Sequence, residues 1–401
     1  MPDTRKQGFH TVETNLEEME EKIREHRRKI VMWILVAFLA LSIAAAVAIV
    51  YFQLKEYTGY DVRWEVERED SQATKYENFA GYILRYNNDG AFCADTSDNL
   101  IWNQAYEMQE PRVDICEEYM AIADHLGTQI YIMNTQGVQG QIETSKPIQA
   151  VRVANQGMVA VLTQEDETSH LELYSKSGNS LASGEIHVQN SGYPMDIALS
   201  NDGNKLAVSI LDISSGKAKS TIAFYNFGSV GQNEIDNIVG SYVYKDTVIP
   251  QIDFVSNDRM IAFGDTQVIL FEGTQKPEEK STLKLDGQVK SIFYDRYYFG
   301  LVYGNGDSKD THKMQVYDMK GKLFMEKDFS MAYSNIEFLE NHQICITNDT
   351  RCEIYTLRGV KHFAYVFDNK INKILSGSTT NQYTFILDGI MQRVCLKAAA
   401  D

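Results

Sequence analysis

The residues that most often carry chemistry in proteins are dispersed along this 401-residue chain. Its cysteines form no CxxC pair and have no histidine nearby at the spacing of a metal site, so zinc is not expected: Cys93, Cys116, Cys345, Cys352 and Cys395. Cys345 and Cys352 flank an Asn-Asp dipeptide symmetrically, which places them across a hairpin from each other. Two interpretations stay open for this pair, a disulfide in an oxidising compartment or two small core residues on neighbouring strands.

Histidines and acidic turns give no stronger signal. The histidines beyond the N-terminal region are each isolated, and we expect exposed or internally satisfied side chains at His125, His170, His187, His312, His342 and His362. Asn-Asp-Gly at 88–90 and 201–203 contains calcium-type ligands, but the tripeptide is also typical of turns, because Asn and Gly tolerate positive φ. HExxH, GxSxG, glycine-rich phosphate loops and EF-hand loops are absent from the sequence. The sequence therefore assigns no catalytic, cofactor-binding or metal-binding residue.

One long apolar segment near the N-terminus predicts a membrane anchor. Ile30 to Tyr51 contains no charged residue and a single serine, Ser42. As a helix it is roughly 33 Å long, enough to cross a hydrocarbon core of about 30 Å. A signal peptide is the alternative, since Ala44 and Ala46 have the spacing of a cleavage site, but the apolar run continues beyond that site. We expect an uncleaved membrane-spanning helix over residues 30–52, in contact with membrane lipid.

The charges on the two sides of this segment predict its orientation. Basic residues precede it at Lys22, Arg24, Arg27, Arg28 and Lys29, whereas Lys55 stands among several acids after it. The positive-inside rule then places residues 1–29 in the cytosol and the rest of the chain outside, with a bacterial plasma membrane between them. Residues 1–29 hold seven Lys/Arg and seven Asp/Glu, so the whole formal charge of -17 lies beyond this tail. An acidic exterior argues against nucleic acid as a partner.

The tail and the anchor carry two further local patterns. Asn15 followed by Glu18 is typical of a helix N-terminus, and it predicts a short basic helix that continues directly into the membrane. Ala40, Ala44 and Ala48 recur at four-residue steps, which lets two helix backbones approach closely in lipid. Two interpretations stay open, a plain anchor or a weak parallel homodimer through this alanine face.

Beyond the anchor the sequence repeats a strand-turn-strand unit. Copies begin at Val151, Met195 and Ile252, with related versions near Tyr82, Val113, Val289, Ile336 and Ile371. In most copies a third strand ends in an aliphatic-aromatic pair before a glycine, such as Leu173-Tyr174 before Gly178, and a weaker fourth strand follows. Four short strands in about 40 residues is the period of propeller blades. A two-sheet sandwich is the alternative, but it does not explain a sustained repeat.

The number of units predicts how the ring closes. Seven units are clear, and a short eighth at 371–399 has only three strands. The alternating Val62, Trp64 and Val66 would supply its missing strand by pairing the two ends of the domain. We therefore predict an all-β propeller of seven or eight blades, with eight favoured. Residues 53–75 form a linker and the ring-closing strand, and residues 76–401 form the exterior propeller domain.

Two short motifs resemble known propeller repeats. The segment from Asn99 to Gln104 resembles the third-strand leucine-isoleucine-tryptophan signature of quinoprotein-type repeats, and the segment from Leu199 to Val208 is similar to WD40-like periplasmic propellers. The whole chain resembles an uncharacterised family of membrane-anchored bacterial propeller proteins. The glycine that precedes the quinoprotein tryptophan strand is replaced by Asp98-Asn99. The cofactor-binding acids and arginines of quinoprotein dehydrogenases are also missing, so no quinone cofactor is expected.

Two functions are compatible with this architecture. A propeller without local catalytic motifs favours a non-enzymatic binding or scaffold module for a protein or cell-wall partner in the envelope. The alternative is a hydrolase or lyase that acts on envelope glycans through carboxylates converging at the central channel, because convergence across blades leaves no local motif. The longest interval between units, from Met195 to Ile252, predicts extra loops on one blade where a partner would bind.

Overall fold

A computed structural model describes residues 16–71, 73–214, 216–304, 306 and 310–398. The chain forms two compact units, Met1–Lys55 and Glu56–Asp401. The first contains the 39-residue helix α1 (Leu16–Leu54), in which Met19–Val47 is long and apolar enough to span a membrane. The predicted continuity from the basic segment into the apolar segment is confirmed, while Asn15 lies outside the described residues. Within the apolar stretch the Ser42 hydroxyl donates to the Phe38 carbonyl at 2.9 Å, which satisfies it without water.

The second unit consists of four-stranded antiparallel sheets arranged as propeller blades, the first four of which follow one another along the chain after the strand β1 (Gly59–Glu67). Blade 1 contains β2 (Lys75–Phe79), β3 (Tyr82–Asn87), β4 (Gly90–Ala94) and β5 (Leu100–Ala105). Blade 2 contains β6 (Pro111–Cys116), β7 (Tyr119–Asp124), β8 (Gln129–Asn134) and β9 (Gly137–Glu143). Blade 3 contains β10 (Ile148–Val153), β11 (Val159–Glu165), β12 (Thr168–Tyr174) and β13 (Ser180–His187). Blade 4 contains β14 (Tyr193–Leu199), β15 (Lys205–Asp212), β16 (Lys219–Asn226) and β17 (Ile238–Lys245).

The last four blades continue this order. Blade 5 contains β18 (Gln251–Ser256), β19 (Arg259–Phe263), β20 (Gln267–Glu272) and β21 (Glu278–Lys284). Blade 6 contains β22 (Val289–Tyr294), β23 (Tyr298–Gly304), β24 (Thr311–Asp318) and β25 (Leu323–Ser330). Blade 7 contains β26 (Asn335–Phe338), β27 (Ile344–Thr347), β28 (Arg351–Tyr355) and β29 (Lys361–Val366). Blade 8 contains β30 (Ile371–Ser376), β31 (Gln382–Leu387), β32 (Ile390–Lys397) and, as its fourth strand, β1.

The ring closes through the two ends of this unit, as the sequence predicts. Strand β1 pairs with β32 in antiparallel register from Gly59 opposite Lys397 to Glu67 opposite Ile390. Trp64 and Val66 of β1 pack against a buried cluster that joins blade 8 to blade 1. The prediction of eight blades, with the N-terminal strand completing the last of them, is confirmed.

The hydrophobic core is distributed between the blades. Eight clusters of buried apolar side chains each join one pair of neighbouring blades, including blades 8 and 1. The cluster between blades 4 and 5, for example, packs Phe224 edge-on against Phe271 with ring centroids 5.0 Å apart. Each sheet must therefore be apolar on both faces, which explains why the repeated strands are short apolar runs and not simple polar-apolar alternations.

Three details of the repeat differ from the sequence interpretation or refine it. The copy near Tyr82 begins at the second strand of its blade, because the polar strand β2 precedes it. Trp102 lies on the outer, fourth strand of blade 1, so its assignment to a third strand is wrong. The extra length of blade 4 lies in the loop at 213–218 and around the 3-10 turns Gly231–Asn233 and Ile235–Asn237. A one-turn helix, α2 (Val188–Ser191), connects blade 3 to blade 4.

Candidate functional site at the central channel

The first strands of the blades line the axis of the ring, where neighbouring first strands pack against one another. Each of these strands carries a polar residue at an interior position, and together these residues form what we call the channel ring: Glu77, Asp114, Arg152, Asp196, Asp253, Ser291, Glu337 and Lys373. In five blades the polar residue stands between two apolar residues, such as Met195 and Ile197 beside Asp196. The channel ring thus contains five acids and two bases, with each base flanked by acids of the two adjacent blades.

Lys373 of blade 8 connects the blades on its two sides. Its Nζ lies 2.8 Å from Oε2 of Glu77 in blade 1 and 2.9 Å from Oε2 of Glu337 in blade 7. Burial disfavours the charged ammonium group, but the two carboxylates outweigh this effect and raise the pKa of Lys373 above its ordinary value. The Lys373 side chain is only 14% exposed, whereas Glu77 keeps 41% and Glu337 keeps 27% of their side-chain exposure, so solvent screens the bridge from the carboxylate side.

Arg152 of blade 3 has the corresponding position on the other side of the channel. Its Nη2 donates to Oδ1 of Asp196 in blade 4 at 2.8 Å. Although burial opposes its charge, Asp196 and Asp114 raise the pKa of Arg152. The carboxylates are held by backbone as well. Asp114 accepts the Val153 N–H at 2.7 Å, and Asp196 accepts the Ile252 N–H at 3.0 Å. Each of these bonds joins two neighbouring blades.

Asp253 of blade 5 is another buried acid of the channel ring. Burial is the main cause that raises its pKa to about 7, and Arg152 opposes that rise while Asp114 adds to it. The Tyr294 hydroxyl hydrogen-bonds to Asp253 and accepts a hydrogen bond of 3.2 Å from Gln251 Nε2. Burial also raises the pKa values of Asp114 and Asp196. Burial of this half of the channel ring therefore favours the protonated form of its carboxyl groups.

A cavity of about 350 Å³ opens above Asp114, Arg152 and Asp196. It lies on the face where the first strands begin, which we call the upper face. Its rim includes Met195, which is 40% exposed. Further exposed apolar side chains lie on the upper face of blades 2 and 4, at Leu126, Tyr193 and Ile213. The cavity thus combines a charged floor with a mixed rim, to which Met195 contributes an exposed apolar side chain.

The rim also carries an exposed group of charges on blade 2. Glu110 accepts hydrogen bonds from Arg112 at 2.6 Å and pairs with His125 at 3.0 Å. These two hydrogen bonds lower the pKa of Glu110 to about 2, and the bond from Arg112 has the larger effect. Because all three side chains are near solvent, the group contributes little to stability and serves as a polar border of the cavity.

Of the cysteines and histidines that the sequence singled out, His125 alone lines the cavity above the channel ring. The Sγ atoms of Cys345 and Cys352 lie 3.9 Å apart as buried free thiols, diagonally across β27 and β28, and neither disulfide nor metal site is built there. His312 packs between Phe329 and Tyr333, and burial lowers its pKa. Within the described part of the chain, no group of three His, Cys, Asp or Glu side chains is placed to hold a metal ion.

The sequence analysis missed the channel ring. Its signal was a polar residue inside the first apolar strand of each repeat, as in Val-Arg152-Val and Ile-Asp253-Phe. Carboxylates from several blades do lie at the central channel, with cations placed among them. The Asn-Asp-Gly turns lie outside this site, and Asp202 in one of them accepts from Ser200 and from the backbone of its own turn.

Comparisons with known proteins agree with the fold. The C-terminal WD40 domain of Sif2 is similar over 85% of this chain and 99% of its own, with a TM-score of 0.55 and 11% identity. BamB from Moraxella catarrhalis matches over 84% of this chain and 100% of its own, with a TM-score of 0.49 and 12% identity. A search of curated proteins finds no sequence relative. The model of a family of unknown function, DUF5711, matches residues 53–396.

Proposed function

We propose that this chain, which belongs to the DUF5711 family of unknown function, is a membrane-anchored binding module that holds a protein or cell-wall partner outside the cytoplasm and catalyses no reaction. The upper face of blades 2–5 would be the binding surface. The extracytoplasmic placement follows from the basic residues that precede the apolar helix, since positively charged flanks stay on the cytosolic side.

One observation carries this proposal. The two cations of the channel ring, Arg152 and Lys373, are already paired with acids of neighbouring blades, while the cavity above Arg152 is open and has Met195 exposed at its rim. Asp196, for example, accepts from Arg152 and from two backbone N–H groups, those of Ile197 and Ile252. A carboxylate held in this way has few lone pairs left for a substrate. The exposed apolar side chain of Met195, in contrast, loses contact with water when a partner covers it, and such burial is the usual source of binding energy.

The experiment places a photo-cross-linking amino acid at Met195 in the full-length chain, expressed in its own cells. The matched control replaces Leu323, which has a similar exposure (45% against 40%) but lies on blade 6 at the opposite face. We expect a specific covalent product at position 195 and none at position 323. Equal products at both positions, or none at either, would show that the upper face has no dedicated partner.

The hydrolase or lyase alternative makes a different prediction. It depends on Asp253, whose pKa near 7 would suit a general acid, together with the acids beside Arg152. The purified chain should show no turnover on glycans, esters or phosphoesters if binding is its function. Activity that disappears in Asp253→Asn but survives in the exposed control Asp166→Asn would favour the enzyme.

A further inference from the structure

A second and larger cavity, of about 590 Å³, lies where the ring closes. We call it the seam pocket, because β1 and β32 of blade 8 form one wall and the turns of blade 1 form another. It is separate from the cavity above Arg152, since the two share no lining residue. Its volume is within the range of small-molecule sites.

A bulge in the ring-closing strand shapes this pocket. The register of β1 against β32 shifts between Val62 and Trp64, so Arg63 has no partner of its own in the ladder. In such a bulge two successive residues oppose one residue of the partner strand, and the extra side chain is redirected. Arg63 and Trp64 both line the seam pocket, opposite Arg393. The bulge therefore brings two guanidinium groups to one cavity.

Arg393 is oriented but unpaired. Its guanidinium carbon lies 5.0 Å from the centre of the Trp64 ring, a cation-π arrangement that fixes its plane. Its Nε is buried and has no hydrogen-bond partner, and it forms no ion pair with any residue that the structure describes. Arg68 at the same seam is different, since Asp70 and Asp98 pair with it at 2.7 and 2.9 Å. Arg393 is close enough to lower the pKa of Asp95, although less than the hydrogen bonds from Asn99 do, but the two form no ion pair. A guanidinium held in position without a bonded carboxylate can bind an anion.

The remaining lining suits an anion that carries hydroxyl groups. Small hydroxyl and amide side chains surround the arginines, at Asn78, Thr96, Ser376, Ser378, Gln382 and Thr384. Glu340 is the one acid among the lining residues. Partial burial raises the pKa of Glu340, which favours its neutral form. Asp95 is nearby but is engaged by its own loop, where Asn99 and the Ser97 N–H donate to it. In a chain of formal charge -17, such a locally cationic pocket is unusual.

We propose that the seam pocket binds an oxyanion, a phosphate or a carboxylate, on a small hydroxylated molecule or headgroup. Arg393 and Arg63 bind the charged oxygens, because the guanidinium fork matches both groups, and the surrounding hydroxyl and amide side chains bind the hydroxylated part. The inference does not depend on the proposed function, which concerns another face and another set of residues.

The test is calorimetric titration of the full chain in discs of zwitterionic lipid, which offer no competing anionic headgroup. The probes are inorganic phosphate, glycerol 1-phosphate and glucuronate, with glycerol as the uncharged counterpart. We expect at least one anion to bind and glycerol not to bind. Phosphate-type and carboxylate-type binding would be distinguished by which probe is tighter. Arg393→Gln should weaken the tighter anion by about ten- to a hundredfold, the loss of one charge-assisted pair of hydrogen bonds.

Two further variants guard against a purely structural effect. Arg63→Gln changes an exposed side chain of the bulge, and we expect about a tenfold loss of affinity with an unchanged melting temperature. Arg259→Gln is the matched control, since Arg259 is an exposed arginine on blade 5. Binding equal to wild type in both Arg393→Gln and Arg63→Gln would overturn the proposal, and so would the absence of binding for all three anions.

Discussion

Replacing Lys373 by methionine tests whether the channel ring holds the blades together. Methionine keeps the length of the unbranched stem but removes the ammonium group that bridges Glu77 and Glu337 at 2.8 and 2.9 Å. Two carboxylates from blades 1 and 7 would then face the same space without a cation. We expect the Glu56–Asp401 unit to be destabilised as a whole, because blade 8 joins the two ends of the ring.

The size of the effect follows from burial. Removing one partner of a buried ion pair costs about 3–5 kcal/mol, because an uncompensated charge remains. Glu77 and Glu337 keep 41% and 27% of their side-chain exposure, so water relieves part of this penalty and we expect about 2–3 kcal/mol. A unit of this length has an unfolding entropy of about 0.7 kcal/mol/K, which converts that loss into a lower melting temperature by about 3–4 °C.

The assay is thermal unfolding of the purified full-length chain, followed by far-ultraviolet circular dichroism at neutral pH. Lys320→Met, at an exposed turn of blade 6, is the control for loss of one positive charge and should melt like wild type. A triple variant with Glu77→Gln, Glu337→Gln and Lys373→Met removes the charges together and should recover most of the loss.

Two results would refute this reasoning. If Lys373→Met melts at the wild-type temperature, the bridge does not couple the blades. If the triple variant is as unstable as the single variant, the cost comes from packing around the lysine stem and not from unpaired carboxylates.

Three further outcomes are expected from the same chain. The folded pKa of Asp253, about 7, is above that of an unfolded aspartate, so its ionisation costs stability as pH rises from about 4 to 7; Asp253→Asn should flatten this decline in melting temperature measured between pH 5 and 8. Deleting residues 371–401 removes three strands of blade 8 and exposes the apolar clusters on both of its sides. The whole propeller should then lose its cooperative thermal unfolding. A truncated chain that melts like its parent would contradict closure of the ring by the chain ends. In the apolar helix, placed in a lipid bilayer, Ala44→Leu should lower energy transfer between labelled helices if the alanine face mediates a weak parallel dimer, and an unchanged signal would remove the case for that face.

The fold was predictable because propeller blades are local. Each blade uses a consecutive stretch of the chain, so the spacing of apolar strands and glycine turns could be counted directly from the sequence. The eighth blade was predictable for the opposite reason: its three strands at 371–399 lacked a fourth, and Val62, Trp64 and Val66 were an unassigned alternating strand. Orientation in the membrane, the residue bounds of the tail and exterior domain, and the alanine dimer stay predictions.

The phase of the first blade was harder to predict. Strand β2, Lys75–Phe79, has only two buried side chains and no apolar run. The apolar pattern in the sequence therefore begins one strand later, at Tyr82. That shift also moved Trp102 from its real position on the fourth strand to an apparent third strand. Sequence periodicity detects a strand by its apolar residues. A first strand that consists mostly of polar residues, such as β2, is therefore not detected.

The channel ring could not be predicted from the sequence for a related physical reason. Lys373 and Glu77 are 296 positions apart, and nothing in either local sequence indicates the other. They meet because closure of the ring sets blade 8 beside blade 1, and because both stand at an interior position of a first strand. The same closure builds the seam pocket, where Arg63 from the start of the unit faces Arg393 from its end. In a closed ring, residues that are far apart in sequence become neighbours where the two ends meet. The partners of polar residues such as Lys373 and Arg393 therefore cannot be found by inspecting one blade of the sequence at a time.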